Sequence, residues 1–287
     1  MKIYKFLEYS KYENKTRSVP LKEDEFLSIL KNKCKKWYNN PKPLVRFKNN
    51  VNPHSVFSKI NPKLSVRKSL NRHNYNTMLI DNLPSWSEFP KRSESIIFLN
   101  KIKNLISGFG NEFYFVIPFD GAKIGVAPAD DLWNAKNKDI TLSFDESFSE
   151  MLDKIGAPDN NYEEFKKYMN KTKPKDLGLV SFLFVKIHEF YEKHSKKFDT
   201  FMEYFNYLLR PSNFKREFDN KNQDGYKVLD YTQTVNQKHK LECWTDSECL
   251  IIYGGSLNES FHDHHGSYDI QIEEAFKSTI YELKLVK

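Results

Sequence analysis

The chain has 287 residues, 39% of them hydrophobic and 29% charged, with a formal net charge of +7. An aromatic content of 15%, with 23 Phe and 16 Tyr, argues against disorder, and the length allows one large domain or two small ones with a sizeable core. No apolar run approaches the roughly 20 residues that cross a bilayer, so no membrane span is expected.

The opening MKIYKFLEYSKYENK has no apolar signal core, and an intracellular, cytoplasmic protein is expected. Residues 1–75 hold 18 Lys+Arg against 5 Asp+Glu. Such a basic quarter suits nucleic acid, a phosphate-rich ligand or an acidic protein partner, and a solvated lysine-rich surface accounts for it equally. Residues 21–38 read as an amphipathic helix, with Phe26, Ile29, Leu30, Cys34 and Trp37 at helical spacing, acids in its first turn and lysines in its last. Asn39-Asn40-Pro41 and Pro43 end it. Leu44 to Phe47 is a short strand, and the Asn- and Pro-rich residues 48–63 read as loop. Asn74 to Leu83 is a short helix. Between Ser93 and Val126 come a strand (Ile96, Ile97, Phe98), a basic turn closed by Gly108-Phe109-Gly110, a second strand (Phe113 to Pro118), an Asp120-Gly121 turn and a third extended run.

Four helices are expected over 144–155, 161–170, 175–196 and 199–209, the third with an apolar face of Leu179, Phe182, Leu183, Ile187 and Phe190. Strands return at Tyr226 to Tyr231, Leu241 to Trp244 and Cys249 to Tyr253. Thr245-Asp246-Ser247 reads as the turn of a hairpin joining the last two. Residues 268–287 are a helix or a final strand. Cys34, Cys243 and Cys249 are odd in number and have no C-x-x-C pair, so no disulfide is expected, and Cys243 and Cys249 read as small core residues. The order favours an α+β fold. Three segments follow from it: 1–142, a helical N-terminal region with the first half of a β core; 143–222, a helical insertion; and 223–287, the second half of the core, together forming one composite domain.

Four clusters carry chemistry. Arg46 lies within the apolar strand PLVRF and reads either as a phosphate ligand, since its fork binds two oxygens at once, or as a water-facing residue on an edge strand. Arg67, flanked by Lys68, Ser69, Asn71 and Arg72, suits a pyrophosphate or a polar surface loop. Glu242 and Glu248 each open an apolar run, as carboxylates beside a cleft or as exposed strand ends. His262-Asp263-His264-His265 lacks a fourth donor at ligand spacing, so no metal is expected. The phosphate-loop, dinucleotide-fold, α/β-hydrolase and zinc-protease motifs are absent from the sequence.

Three pieces occur in the order used by ADP-ribosyltransferases of the Arg–Ser–Glu type. They are a helix followed by Arg46 in LVRF, the strand SESIIFLN followed by Phe109-Gly110 and FYFVIPFDGAKIGV, and LECWTDSECLII. The chain resembles that family over roughly 40–138 and 225–260, with the helical block as an insertion. The resemblance implies a split β-sandwich, NAD as substrate, and a protein or nucleic-acid acceptor. It implies that Arg46, with Arg67 as the alternative, holds the pyrophosphate and that Ser95 or Ser93 braces the site. Glu242, with Glu248 as the alternative, would stabilise the oxocarbenium-like state. Asn74 and Tyr75 are implied on the nicotinamide side. Phe98-Leu99-Asn100 stand in the Ser-Thr-Ser slot, which puts Asn100 among the NAD-contacting candidates. The alternatives are an inactive relative that binds nucleic acid or an acidic protein, and a structural component of an assembly.

Overall fold

The structure, a computed structural model, describes residues 18–48, 56–64, 66, 74–102, 112–138, 146–172, 182–216, 225–257 and 267–285. After a short strand β1 (Ser18–Pro20), the first expected helix forms in two pieces, α1 (Glu23–Lys33) and α2 (Lys35–Asn39). It breaks at Cys34 because the Asp120 carboxylate accepts the amides of Lys35 and Lys36 at 2.8 and 3.1 Å, capping a new helix start. β2 (Val45–Lys48) follows as expected. Residues 48–63 are not all loop, because β3 (Phe57–Ile60) forms within them. The segment FSKI is too short to show alternation, and pairing with a strand on each side fixes it. α3 (Tyr75–Asn82), β4 (Ile96–Leu99), β5 (Glu112–Pro118) and β6 (Ile124–Val126) lie where the sequence places them. Gly108-Phe109-Gly110, Arg67 and the histidine cluster lie outside the described residues.

β7 (Ala135–Asn137) precedes the helical block, which consists of α4 (Glu146–Lys154), α5 (Tyr162–Lys171), α6 (Phe182–His194) and α7 (Phe201–Leu208). β8 (Phe214–Arg216), which the sequence reading lacks, pairs with β7. The strand expected over 226–231 is cut to β9 (Lys227–Leu229), since Asp230 and Gln233 form a capping box that starts α8 (Tyr231–Val235). β10 (Glu242–Thr245), β11 (Cys249–Ser256) and the helix α9 (Ser267–Leu285) complete the order. The architecture is α+β with an open antiparallel sheet.

The described residues fall into two compact units, one within 1–67, 94–126 and 228–287, the other within 68–93 and 127–227. The first holds nine strands in the order β1-β3-β11-β5-β2-β4-β10-β6-β9. Its core gathers Val45, Phe98, Phe115, Cys243, Leu250 and Ile252 under α1, α2 and α9. Phe26 stacks on Phe57 at 4.5 Å, while Phe276 of α9 meets Phe115 at 5.1 Å and Trp37 at 6.3 Å. All three cysteines are buried free thiols, and burial pushes that of Cys34 up to about 12.

β10 and β11 do not form the expected hairpin. They are separated by β5, β2 and β4, and what joins them is a bend rather than a turn. β5 pairs β11 up to Pro118↔Cys249, and β6 pairs β10 from Gly125↔Trp244. The two ladders are therefore one antiparallel ribbon with its corner at residues 119–124 and 245–248. The strand with more residues to place at that corner bulges through Gly121, at φ 85°. The Phe119 amide still reaches the Glu248 carbonyl at 3.2 Å, and the Thr245 hydroxyl donates to the Lys123 carbonyl at 2.7 Å.

The second unit packs α3 on α4 and α5, and α5 on α7, around Tyr75, Phe148, Phe165 and Phe205. His188 lies in its aromatic core, 7% exposed and stacked on Phe201 at 5.1 Å. Burial holds its pKa below the ordinary 6.5, against the opposing pull of Glu192, whose carboxylate lies 3.8 Å from Nδ1. A lowered pKa means that the folded state binds fewer protons than the unfolded one. Stability is then full above pH 6.5 and falls as the pH drops below it toward the folded value. Urea midpoints measured from pH 7.5 down to 5 should show this loss, and His188→Phe should flatten it; an unchanged slope in the variant would assign the loss to other groups.

Candidate functional site

The sheet parts between β2 and β4. β2 pairs β5 over four residues but β4 at Val45↔Leu99 alone among the described residues. The cause is a change of buried pleat. On β2, Val45 and Phe47 face the core, whereas on β4 Ile96 and Phe98 do so, although Val45 stands opposite Leu99. Directly opposed residues of a regular ladder share a face, so the strands diverge after one pair. Arg46 and Glu242 are thereby left on the pleats opposite the core residues of their own strands: Val45 and Phe47 on β2, Cys243 on β10.

Arg46 is half-buried, and its guanidinium donates to the Ile97 carbonyl of β4 at 3.2 Å, bridging the parting. Tyr114 of β5 stands opposite Arg46, and Tyr253 of β11 opposite Tyr114, with their rings 5.4 Å apart. Burial, reinforced by Glu112, pushes the Tyr114 phenol far above its usual range, and Arg46 opposes that shift. Glu242 is 4% exposed and stands opposite Leu99. Arg46 and Glu242 thus sit on the two strands that flank β4.

The other candidates fall elsewhere. Ser95 is fully buried just before β4, beyond the Ile96↔Thr245 pair, so it lies at the opposite end of the β4–β10 ladder from Glu242. Four residues of strand separate the two levels, about 13 Å at the usual rise. Ser93 belongs to the second unit, where its amide, at 3.1 Å, and its hydroxyl bond the half-buried Asp81 carboxylate. Tyr75 is a core residue of that unit, its hydroxyl donating to the Ala157 carbonyl, and Asn74 stands at the N-cap position of α3 with its backbone carbonyl accepting the Met78 amide at 2.9 Å. Glu248 lies in the ribbon corner just before β11 and pairs with Lys59 of β3 at 3.2 Å; in the sheet order β5, β2 and β4 stand between β11 and β10.

α8 is an element of this region that the sequence reading missed. The Tyr231 hydroxyl accepts from the Lys42 amide at 2.9 Å and donates to the Asn40 carbonyl at 3.1 Å, fixing the approach to β2. Lys36 reaches Asp230 at 2.8 Å. At the other end of α8, the Thr234 carbonyl accepts from Asn100 at 3.1 Å. The entries to the arginine strand and the glutamate strand are both tied to this one short helix. The D-Y-T-Q capping box at Asp230 was the available signal. No family model, curated protein or solved structure matches the chain. Among the described residues no group of three or more His, Cys, Asp or Glu could hold a metal ion, and no helix is long and apolar enough to cross a membrane.

Proposed function

We propose that the chain is an NAD-dependent ADP-ribosyltransferase of split-sandwich type, with its site at the parting of β2 and β4 and a protein or nucleic acid as acceptor. The observation that supports this reading is the strand order β2-β4-β10. The arginine strand, the strand of the Ser-Thr-Ser slot and the glutamate strand are neighbours, though far apart in the chain. In this reading the guanidinium fork of Arg46 binds pyrophosphate oxygens. Glu242 holds a hydroxyl of the nicotinamide ribose. As the C1′–N bond breaks, nicotinamide leaves with the electron pair, and the Glu242 carboxylate stabilises the cation developing on the ribose. The acceptor nucleophile then bonds C1′ and gives up its proton.

Wild-type protein should bind NAD saturably and release nicotinamide. Arg46→Ala should raise KM for NAD by about 10- to 100-fold, the worth of a hydrogen bond to a charged group. Absence of NAD binding at millimolar concentration removes the reading. In that case, nucleic-acid affinity that falls steeply with salt and survives Glu242→Ala would mark a binding module instead.

A further inference from the structure

Asn100 immediately follows β4, at the end of the slot where the resemblance implies an NAD contact. Its side chain is 3% exposed and its amide group is engaged on both sides. Nδ2 donates to the Thr234 carbonyl at 3.1 Å and to the His239 carbonyl at 3.2 Å. Oδ1 accepts from the Leu241 amide at 2.7 Å, and the Asn100 amide donates to the Leu241 carbonyl at 3.2 Å. The side chain therefore continues the β4–β10 ladder one step past Leu99↔Glu242, supplying an acceptor in place of a backbone carbonyl. With both amide protons given to carbonyls and the oxygen to an amide, its atoms are directed at the chain and not at a ligand.

We infer that Asn100 is a positioning residue: it clamps the segment from α8 into β10 and so fixes the Glu242 carboxylate at the parting of β2 and β4. The catalytic half of this inference rests on the transferase reading above. The geometry accounts for the choice of residue. Residues 236–241 connect α8 to β10 and have no regular structure, so their carbonyls and amides need partners from outside the segment. A single amide side chain meets one such carbonyl, that of His239, and one such amide, that of Leu241, while also holding the Thr234 carbonyl of α8. A serine, with one proton to give, cannot replace it. Through Thr234 the clamp reaches α8, which Tyr231 joins to the approach to β2. Asn100 thus adjusts the position of Glu242 relative to Arg46 without touching substrate.

The test compares Asn100→Ala and Asn100→Asp with wild type in two measurements. One is hydrogen exchange across residues 235–243, and the other is NAD-dependent nicotinamide release. Asn100→Ala should speed exchange in that segment by at least about 10-fold, the loss of one or more buried bonds. It should also lower kcat on the order of 10- to 100-fold with KM for NAD held within about 2-fold, as expected for a misplaced catalytic group. Asn100→Asp keeps the acceptor for Leu241 but sets a carboxylate oxygen against two carbonyls, and should exceed Asn100→Ala in both effects. If neither folds, Asn100→Ser, which keeps one proton to give, decides by the same two measurements. Exchange equal to wild type overturns the clamp. A raised KM with unchanged kcat overturns the positioning role and returns Asn100 to ligand contact. Absence of turnover in wild type counts against the transferase reading and the catalytic half, while faster exchange in the variant still establishes the clamp.

Discussion

Replacing Glu242 by glutamine should lower nicotinamide release by about 100- to 1,000-fold, the scale of removing one electrostatic stabiliser from a buried site. On the transferase reading KM for NAD should change little, because the interaction that would be lost grows as positive charge develops on the ribose. Glutamine keeps the shape of a side chain that is 4% exposed, so the fold should persist and the loss should not reflect unfolding. Glu248→Gln is the matched control. That carboxylate meets Lys59 at 3.2 Å, with roughly a third of each side chain exposed, and it stands just before β11, which is not one of the two strands that part. Its loss should leave kcat within about 2-fold and cost no more than about 1 kcal/mol, as for other surface pairs. Equal losses in both variants would show that the effect belongs to the sheet as a whole and not to the Glu242 carboxylate.

The two glutamates also show what the sequence could tell and where it stopped. Strands and helices with strong periodicity, such as α5, α7 and β5, can be read directly, since their apolar spacing is local. The partners of each strand are not local. The run LECWTDSECLII has the pattern of a hairpin, with two apolar stretches about a short polar link. Its halves take different partners instead, β11 pairing with β5 and β10 with β6 and β4, all more than a hundred residues upstream. The site shows the same division. Arg46 and Glu242 stand out as charges inside apolar strands, a signal any single sequence carries. Ser95 and Asn100 have only their distance from a motif to recommend them in the sequence. Their roles depend on register: Leu99 opposite Glu242 puts Ser95 at the far end of the ladder and Asn100 against Leu241. The Tyr114–Tyr253 pair beside Arg46 has no local signal, because its two members are brought together by the β5–β11 ladder.

Trp244 should be the most sensitive packing position near the site. It is fully buried on β10 and stands opposite Ile97 of β4 and Gly125 of β6. A β-carbon placed on Gly125 would lie 2.3 Å from Cε2 of the indole, so the glycine is there to admit the ring. Trp244→Ala should cost about 3–5 kcal/mol in urea unfolding, through lost burial and the cavity left behind. Gly125→Ala should cost about 1–3 kcal/mol by the opposite fault, overpacking against the ring. The decisive result is the double variant. With Trp244 reduced to leucine, the added methyl on Gly125 should cost almost nothing or fill space, so the two changes should be far from additive. Additive losses would mean that Gly125 is required for its backbone and not for the room it leaves. The coupling bears on function because β10 carries Trp244 two residues from Glu242. The ring fixes β10 against β4 and β6 at one end of the strand, and the Asn100 clamp fixes it at the other. Loosening either end should move the carboxylate relative to Arg46. Trp244→Leu in the wild-type background should therefore lower kcat together with stability, whereas Glu242→Gln should lower kcat alone.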